Sequence, residues 1–270
     1  MDNRCIGVFD SGLGGLTCVK EIMKILPNEN IVYFGDTGRV PYGTRSAETL
    51  IKYTVSDIRF LKQFNPKLIV IACGTASATA LDVVKNKFDV NIMGVVVPSA
   101  YAAAAATKNG RIGVIGTSRS INSGKYEQTL KSIDKGFEVY SKACPMFVPL
   151  VENGYLDAKV TYMIAEEYLS PLIKAKVDTI ILGCTHYPLI KKVIGDIVGE
   201  SVILIDSGKE VARQICFEIE AGKVEAAEEH FGNRFYISDR VESFTDMAEM
   251  FLETKIEGEV EKIDIEKYMV

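Results

Sequence analysis

The chain has no tryptophan and only two histidines, His186 and His230, in 270 residues. Neither stands in HExxH or in a cysteine-histidine cluster with ligand spacing, so no metal site is expected. Six cysteines occur without a CxxC pair, and their spacing does not form the compact framework of a small disulfide-stapled domain. Free thiols are the expectation. No block of Lys and Arg interrupts a formal charge of -5, from 31 basic and 36 acidic side chains, so nucleic acid is not an expected partner. The alanine-rich segment from Tyr101 to Thr107 is too short to cross a bilayer. The opening MDNRCIGVF lacks the apolar stretch and small-residue cleavage site of a signal peptide. A cytoplasmic protein with no membrane contact is expected.

What is present reads as a soluble enzyme. The composition, 47% hydrophobic and 25% charged with 22 glycines, is that of an ordinary globule, and the length allows one or two domains. Short apolar runs alternate with amphipathic stretches. Strands are expected at Ile6 to Asp10, Ile31 to Phe34 and Leu68 to Ala72, with helices at Leu16 to Leu26, Ala47 to Phe64 and Ala76 to Lys87. This βαβ order builds a parallel sheet through right-handed crossovers. A fourth apolar run, Ile92 to Val97, stops at Pro98, and GRIGVIGTS then echoes the opening IGVFDSG, which places a domain change near Pro98.

The second half repeats the alternation: helix Asp157 to Lys174, strand Thr179 to Gly183, a helix after Pro188 and strand Ser201 to Ile205. Helix Gly208 to Glu220, strand Phe235 to Ile237 and helix Val241 to Glu253 then return to complete the first unit. The expected fold is therefore α/β, with two pseudo-symmetric three-layer lobes, largely parallel sheets and an active-site cleft between them. Residues 1–98 and 207–253 form the first lobe and 99–206 the second. Residues 254–270 form a C-terminal surface extension or short packed appendage.

Two cysteines occupy matching places. KLIVIACGT sets Cys73 behind one buried-strand pattern and DTIILGCTH sets Cys184 behind another. Open α/β sheets bind ligands at the C-terminal ends of their strands. Two thiols facing one carbon acid across a cleft can remove a proton from one side and return one from the other, and the stereocentre inverts. An ordinary thiol pKa of about 8.5 suits either role. The competing reading is that both are inert core residues; Cys5, Cys18, Cys144 and Cys216 lack the paired setting and are assigned to packing.

Polar candidates surround the pair. Asp10 and His186 can steer the thiols or cap local turns. FDSGLGGLT offers a tight turn whose amides and Ser11 hydroxyl can hold an anion. Its glycines at 12, 14 and 15 do not spell GxGxxG, so a small carboxylate is favoured over a dinucleotide with Asp36 on its ribose. In GDTGRVPYG, Tyr42 and the Gly43 amide can close around a polar ligand, and turn construction explains Pro41 and Gly43 equally well. Thr75, Thr117 and Thr185 each follow a strand and either bind carboxylate oxygens or cap helices. Glu152, read as part of a loop VPLVENG, either binds an ammonium group and tunes the second half-site or is simply exposed.

The ordered set FDSGLGGLT, GDTGRVPYG, ACGTASA, GVIGT, ACPMFVPLVENG and LGCTHYPLI resembles the glutamate racemases of the aspartate, glutamate and hydantoin racemase superfamily, over about residues 5 to 253. The resemblance implies cofactor-independent interconversion of L- and D-glutamate, with no metal, in a cytoplasmic homodimer that supplies D-glutamate for peptidoglycan synthesis and so for cell-wall biogenesis and cell shape. It implies Cys73 and Cys184 as the acid/base pair, assisted by Asp10 and His186. Asp10, Ser11, Pro41, Tyr42, Gly43, Gly74, Thr75, Thr117, Glu152 and Thr185 then form the substrate pocket. The histidine after GCT favours glutamate over aspartate. One position departs from the pattern: Gly74 stands where asparagine usually follows the first cysteine. A substrate polar group left unpaired there costs about 1 to 3 kcal/mol, so slower turnover or weaker binding is expected. The alternatives are an aspartate or other amino-acid racemase, or a carboxylate-binding regulator with little or no catalysis.

Overall fold

Runs with buried-strand character pair as parallel ladders in two separate sheets. The computed structural model describes residues 1–239, 244–256 and 260–269. In chain order its elements are β1 (Ile6–Asp10), α1 (Leu16–Ile25), β2 (Ile31–Gly35), α2 (Ala47–Lys62), β3 (Leu68–Ile71), α3 (Gly74–Val84), β4 (Asn91–Gly94), α4 (Val96–Ala106) and β5 (Arg111–Gly116). Then come α5 (Ser118–Asn122), α6 (Lys125–Ile133), β6 (Glu138–Ala143), α7 (Phe147–Glu152), α8 (Lys159–Lys174), β7 (Thr179–Leu182), α9 (Lys191–Val198) and β8 (Ile203–Asp206). The chain closes with α10 (Ser207–Glu220), β9 (Arg234–Ile237), α11 (Phe244–Leu252) and β10 (Val260–Lys262).

Among the described residues the first sheet has the order β10-β9-β2-β1-β3-β4 and the second β6-β5-β7-β8. Every ladder is parallel. In the first sheet β1 has β2 on one side and β3 on the other; in the second, β5 lies between β6 and β7. Such reversals of strand order open a crevice at the C-terminal strand ends. Asp10, Cys73, Thr117 and Cys184 all stand at these ends.

Alternation along the strands distributes the core. Ile6, Val8, Leu68 and Val70 face one cluster and Phe9, Ile69 and Ile71 face another, the period of two that a sheet buried on both faces requires. The first cluster continues through Leu16 of α1 and Val211 and Ile215 of α10 to Ile180 and Leu182 of the second sheet. A third, with Ile112, Val114 and Ile181, lies under α4 and α6. The two lobes therefore share one apolar seam beneath the cleft. No helix among the described residues is long and apolar enough to cross a membrane.

Several expectations change. The apolar run from Ile92 to Val97 is strand only to Gly94, and Pro98, where a domain change was expected, lies in the first turn of α4. A proline is tolerated there because the first turn's N–H groups have no helical acceptor, and the following alanines favour helix. VPLVENG is not a loop through Glu152, since α7 reaches that residue. The C-terminal tail supplies an edge strand, β10, and a single turn, Ile265–Tyr268, that packs against α2 through Phe60. Of the helix expected from Val241 to Glu253, residues 241–243 lie outside the described residues.

Candidate active site

Cys73 stands two residues past the end of β3 and is the N-cap residue of α3, and Cys184 stands two residues past β7, just before a short turn, Tyr187–Ile190. The two sheets thus present one thiol each. Both line a single cavity of about 410 Å³, within the range of small-molecule sites. Larger grooves exist, one of about 590 Å³ between α8 and α9, but that one contains neither cysteine.

The first lobe contributes Ser11, Pro41, Tyr42, Gly43, Gly74 and Thr75 to the wall, and the second contributes Thr117, Glu152, Thr185 and His186. The structure thus brings together every candidate substrate residue except Asp10. That carboxylate is fully buried behind the wall. The Gly12 N–H donates to it at 3.0 Å and the Thr185 hydroxyl at 3.5 Å. It braces the wall instead of forming it. Close approach of the lobes requires Gly14 as well, because a Cβ there would stand 2.2 Å from Thr185 Oγ1 and 2.6 Å from His186 Nδ1.

Tyr42 differs from expectation in its aim. Its ring is buried, and its hydroxyl donates toward the carboxylates of Asp36 and Asp57. Arg39 joins the same cluster, with Nε 2.6 Å from Asp36 Oδ2 and Nη2 2.7 Å from Asp57 Oδ1. Burial first, and then the neighbouring Asp36, push Asp57 well above the usual carboxylate range, while Arg39 opposes the shift. Asp36, fully buried here, is not a ribose contact.

The threonines divide in role. Thr117 does cap α5, its Oγ1 accepting from the Ser120 N–H at 3.2 Å. That same oxygen lies 2.9 Å from Thr75 Oγ1 of the other lobe and 2.9 Å from Ser120 Oγ. Three hydroxyls converge, and those of Thr75 and Thr117, which line the cavity, are able to donate to a carboxylate oxygen. Gly43 faces Thr117 across the cleft.

The two thiols meet opposite electrostatics. Burial, and then the charge of Asp10, push the Cys73 thiol up to about 12, against an Ala76 backbone hydrogen bond and the Ser11 hydroxyl 3.6 Å away. The N-terminus of α3 favours a thiolate, and here burial outweighs it. Cys184 has His186 Nδ1 at 3.9 Å from its sulfur, and the far side of the ring, Nε2, lies 3.0 Å from Glu152 Oε1. Burial works against a charge on His186, but the hydrogen bonds to Cys184 and Glu152 prevail and raise it from 6.5 to about 10. The imidazolium therefore donates to both neighbours at neutral pH. Phe251 of α11 closes over the ring edge to face, with centroids 5.3 Å apart.

The sequence reading did not select Pro145, Val148 and Pro149, which form an apolar wall beside Glu152. Their apolar character read as packing; ACPMFVPLVENG was the available signal. All six cysteines are free thiols.

The profile of the Asp/Glu/hydantoin racemase family matches residues 12–215. A glutamate racemase from Geobacter metallireducens is 46% identical over 264 residues, covering 97% of each chain. A glutamate racemase from Bacillus anthracis has a structure that superposes with a TM-score of 0.93 at 39% identity, covering 98% of both chains. The Francisella tularensis glutamate racemase, solved with D-glutamate, gives 0.91 at 37% identity and covers 99% of this chain and 100% of that one.

Proposed function

Because the chain belongs to the aspartate/glutamate/hydantoin racemase family, among its glutamate racemases, we propose that it interconverts L- and D-glutamate by proton transfer between Cys184 and Cys73. The observation that carries this reading is one cavity lined by two strand-end thiols, each from a different sheet.

The imidazolium of His186 beside Cys184 and the proton on Cys73 suit the direction that starts from the L-isomer. Cys184 removes the α-proton, and Cys73 gives its own to the opposite face. The D-isomer leaves with Cys73 as thiolate and Cys184 as thiol, the state that runs the reverse reaction. Each well-placed acid or base contributes typically about 10²- to 10⁴-fold. An amino acid's α-proton remains a poor acid, so the negative charge that develops must meet donors already in place. The hydroxyls of Thr75, Thr117 and Thr185, with the Ser11 hydroxyl and Gly43 amide, are suited to the two carboxylates. Asp10 and His186 assist the thiols, and Glu152 holds His186.

On this reading the lobes are residues 1–98 with 207–253, and 99–206. The enzyme works in the cytoplasm as a homodimer whose D-glutamate feeds peptidoglycan synthesis. Circular dichroism of L-glutamate and L-aspartate incubated side by side with the protein tests the assignment. Loss of optical activity with glutamate and much slower loss with aspartate is expected. Faster loss with aspartate would indicate an aspartate racemase, and tight glutamate binding without inversion a carboxylate-binding regulator.

A further inference from the structure

Gly74 has no side chain, and the reason lies across the cleft. A Cβ at this position would stand 2.3 Å from the Gly183 carbonyl oxygen and 3.1 Å from its carbonyl carbon. Both are backbone atoms, held in place by the second sheet: the Gly183 N–H donates to Ile115 O at 2.8 Å. Tyr126 closes the space from behind, its buried hydroxyl 3.6 Å from the same Cβ position. A side chain at 74 has no flexible neighbour to displace. It has to move one lobe against the other.

Gly74 follows Cys73 and Gly183 precedes Cys184, so each thiol hangs one residue from the point where the two backbones meet. We propose that the Gly74–Gly183 contact is the spacer that fixes the span between the two thiols, with Gly74 as a positioning residue for both. This rests on the reading of Cys73 and Cys184 as the acid/base pair. Relaxing the built contact to ordinary van der Waals distance takes about 1 Å, a displacement that costs an enzyme up to about a hundredfold in rate when it falls between reacting groups. Where the racemase pattern places an asparagine amide after the first cysteine, this chain sets a glycine against the Gly183 carbonyl. Putting the amide back should therefore open the site and not repair it.

The test is G74A and G74N, each given D-glutamate in deuterated water. Inversion is followed by circular dichroism and α-deuterium in the unconverted D-isomer by NMR. When the opposite thiol is too far away, the carbanion is more often reprotonated by the thiol that took its proton, and once that S–H has exchanged with the deuterated solvent, label enters without inversion. Expected are a fall in the inversion kcat of about ten- to a hundredfold, a smaller change in KM, and a severalfold rise in the ratio of exchange to inversion. Partial misfolding lowers both processes together and leaves that ratio unchanged.

A G74A enzyme with wild-type kcat and wild-type ratio overturns the spacer while leaving the racemase intact. If neither variant folds, a crystal structure of the wild type with glutamate decides. Gly74 and Gly183 still in backbone contact supports the proposal, and a gap wide enough for a methyl group overturns it. Wild-type protein that neither inverts nor exchanges glutamate defeats the racemase reading, and the spacer with it.

Discussion

His186 is the residue where burial and charge are most finely opposed. Its folded pKa of about 10 lies above the 6.5 of an ordinary histidine, so between these values the folded chain holds a proton that the unfolded chain releases. Its contribution to stability is fully present below about pH 6.5 and is lost as pH rises through about 10. Melting of the wild type and H186N should show a Tm difference that narrows between pH 6.5 and 10.5. A difference that is constant or widens with pH would mean that His186 is neutral in the fold. The sequence made much of this legible: Cys73 and Cys184 announced themselves by matching strand-end settings, with His186 two residues on. The aims of side chains were not legible. Tyr42 lines the cavity as its motif suggests, but the sequence does not show that its hydroxyl meets Asp57, which α2 brings to it. Gly74 reads as a lost hydrogen bond, because nothing local places the Gly183 carbonyl beside it.

The loop from β2 to α2 depends on Arg39. Its guanidinium ties Asp36 at the end of β2 to Asp57 on α2, stacks on Tyr53 at 4.3 Å and donates to Ser56 at 2.9 Å. Asp36 also accepts from Ser238 after β9, at 2.8 Å. The cavity residues Pro41, Tyr42 and Gly43 hang from this knot. R39L leaves the buried Asp36–Asp57 pair without its cation, which costs about 3 to 5 kcal/mol and lowers Tm by on the order of 10 °C. Differential scanning calorimetry checks it; an unchanged Tm would show that the cluster is not needed to hold the loop. Element by element, strands with apolar residues on both faces were legible because burial on both sides leaves a continuous run. Strand β6, Glu138–Ala143, was not, since as an exposed edge it carries polar residues. The short helix α7 was hidden by its length and by Pro149. Strand β10 lay in a charged tail whose pairing partner, β9, is a short strand well upstream.

At the scale of the whole molecule, two parallel sheets with strand reversals at β1 and β5 aim their C-terminal ends at one another, and the apolar seam through α1 and α10 holds them there. The Thr17 hydroxyl of α1 donates to the Thr185 carbonyl at 3.0 Å, a direct link from one lobe to the turn that carries Cys184 and His186 in the other. Two lobes and a cleft between them were legible from the repeated alternation and the paired cysteines; the seam of α1 and α10 that holds them was not, because it depends on packing between helices far apart in sequence. The central claim is that the α-carbon is protonated from two sides by these two sulfurs and no other group. NMR of L- and D-glutamate in deuterated water, with wild type and with the C73A/C184A double variant, measures it directly. Solvent deuterium should enter the α-position of both isomers with the wild type and of neither with the double variant. Label entering at the wild-type rate without both thiols would contradict it.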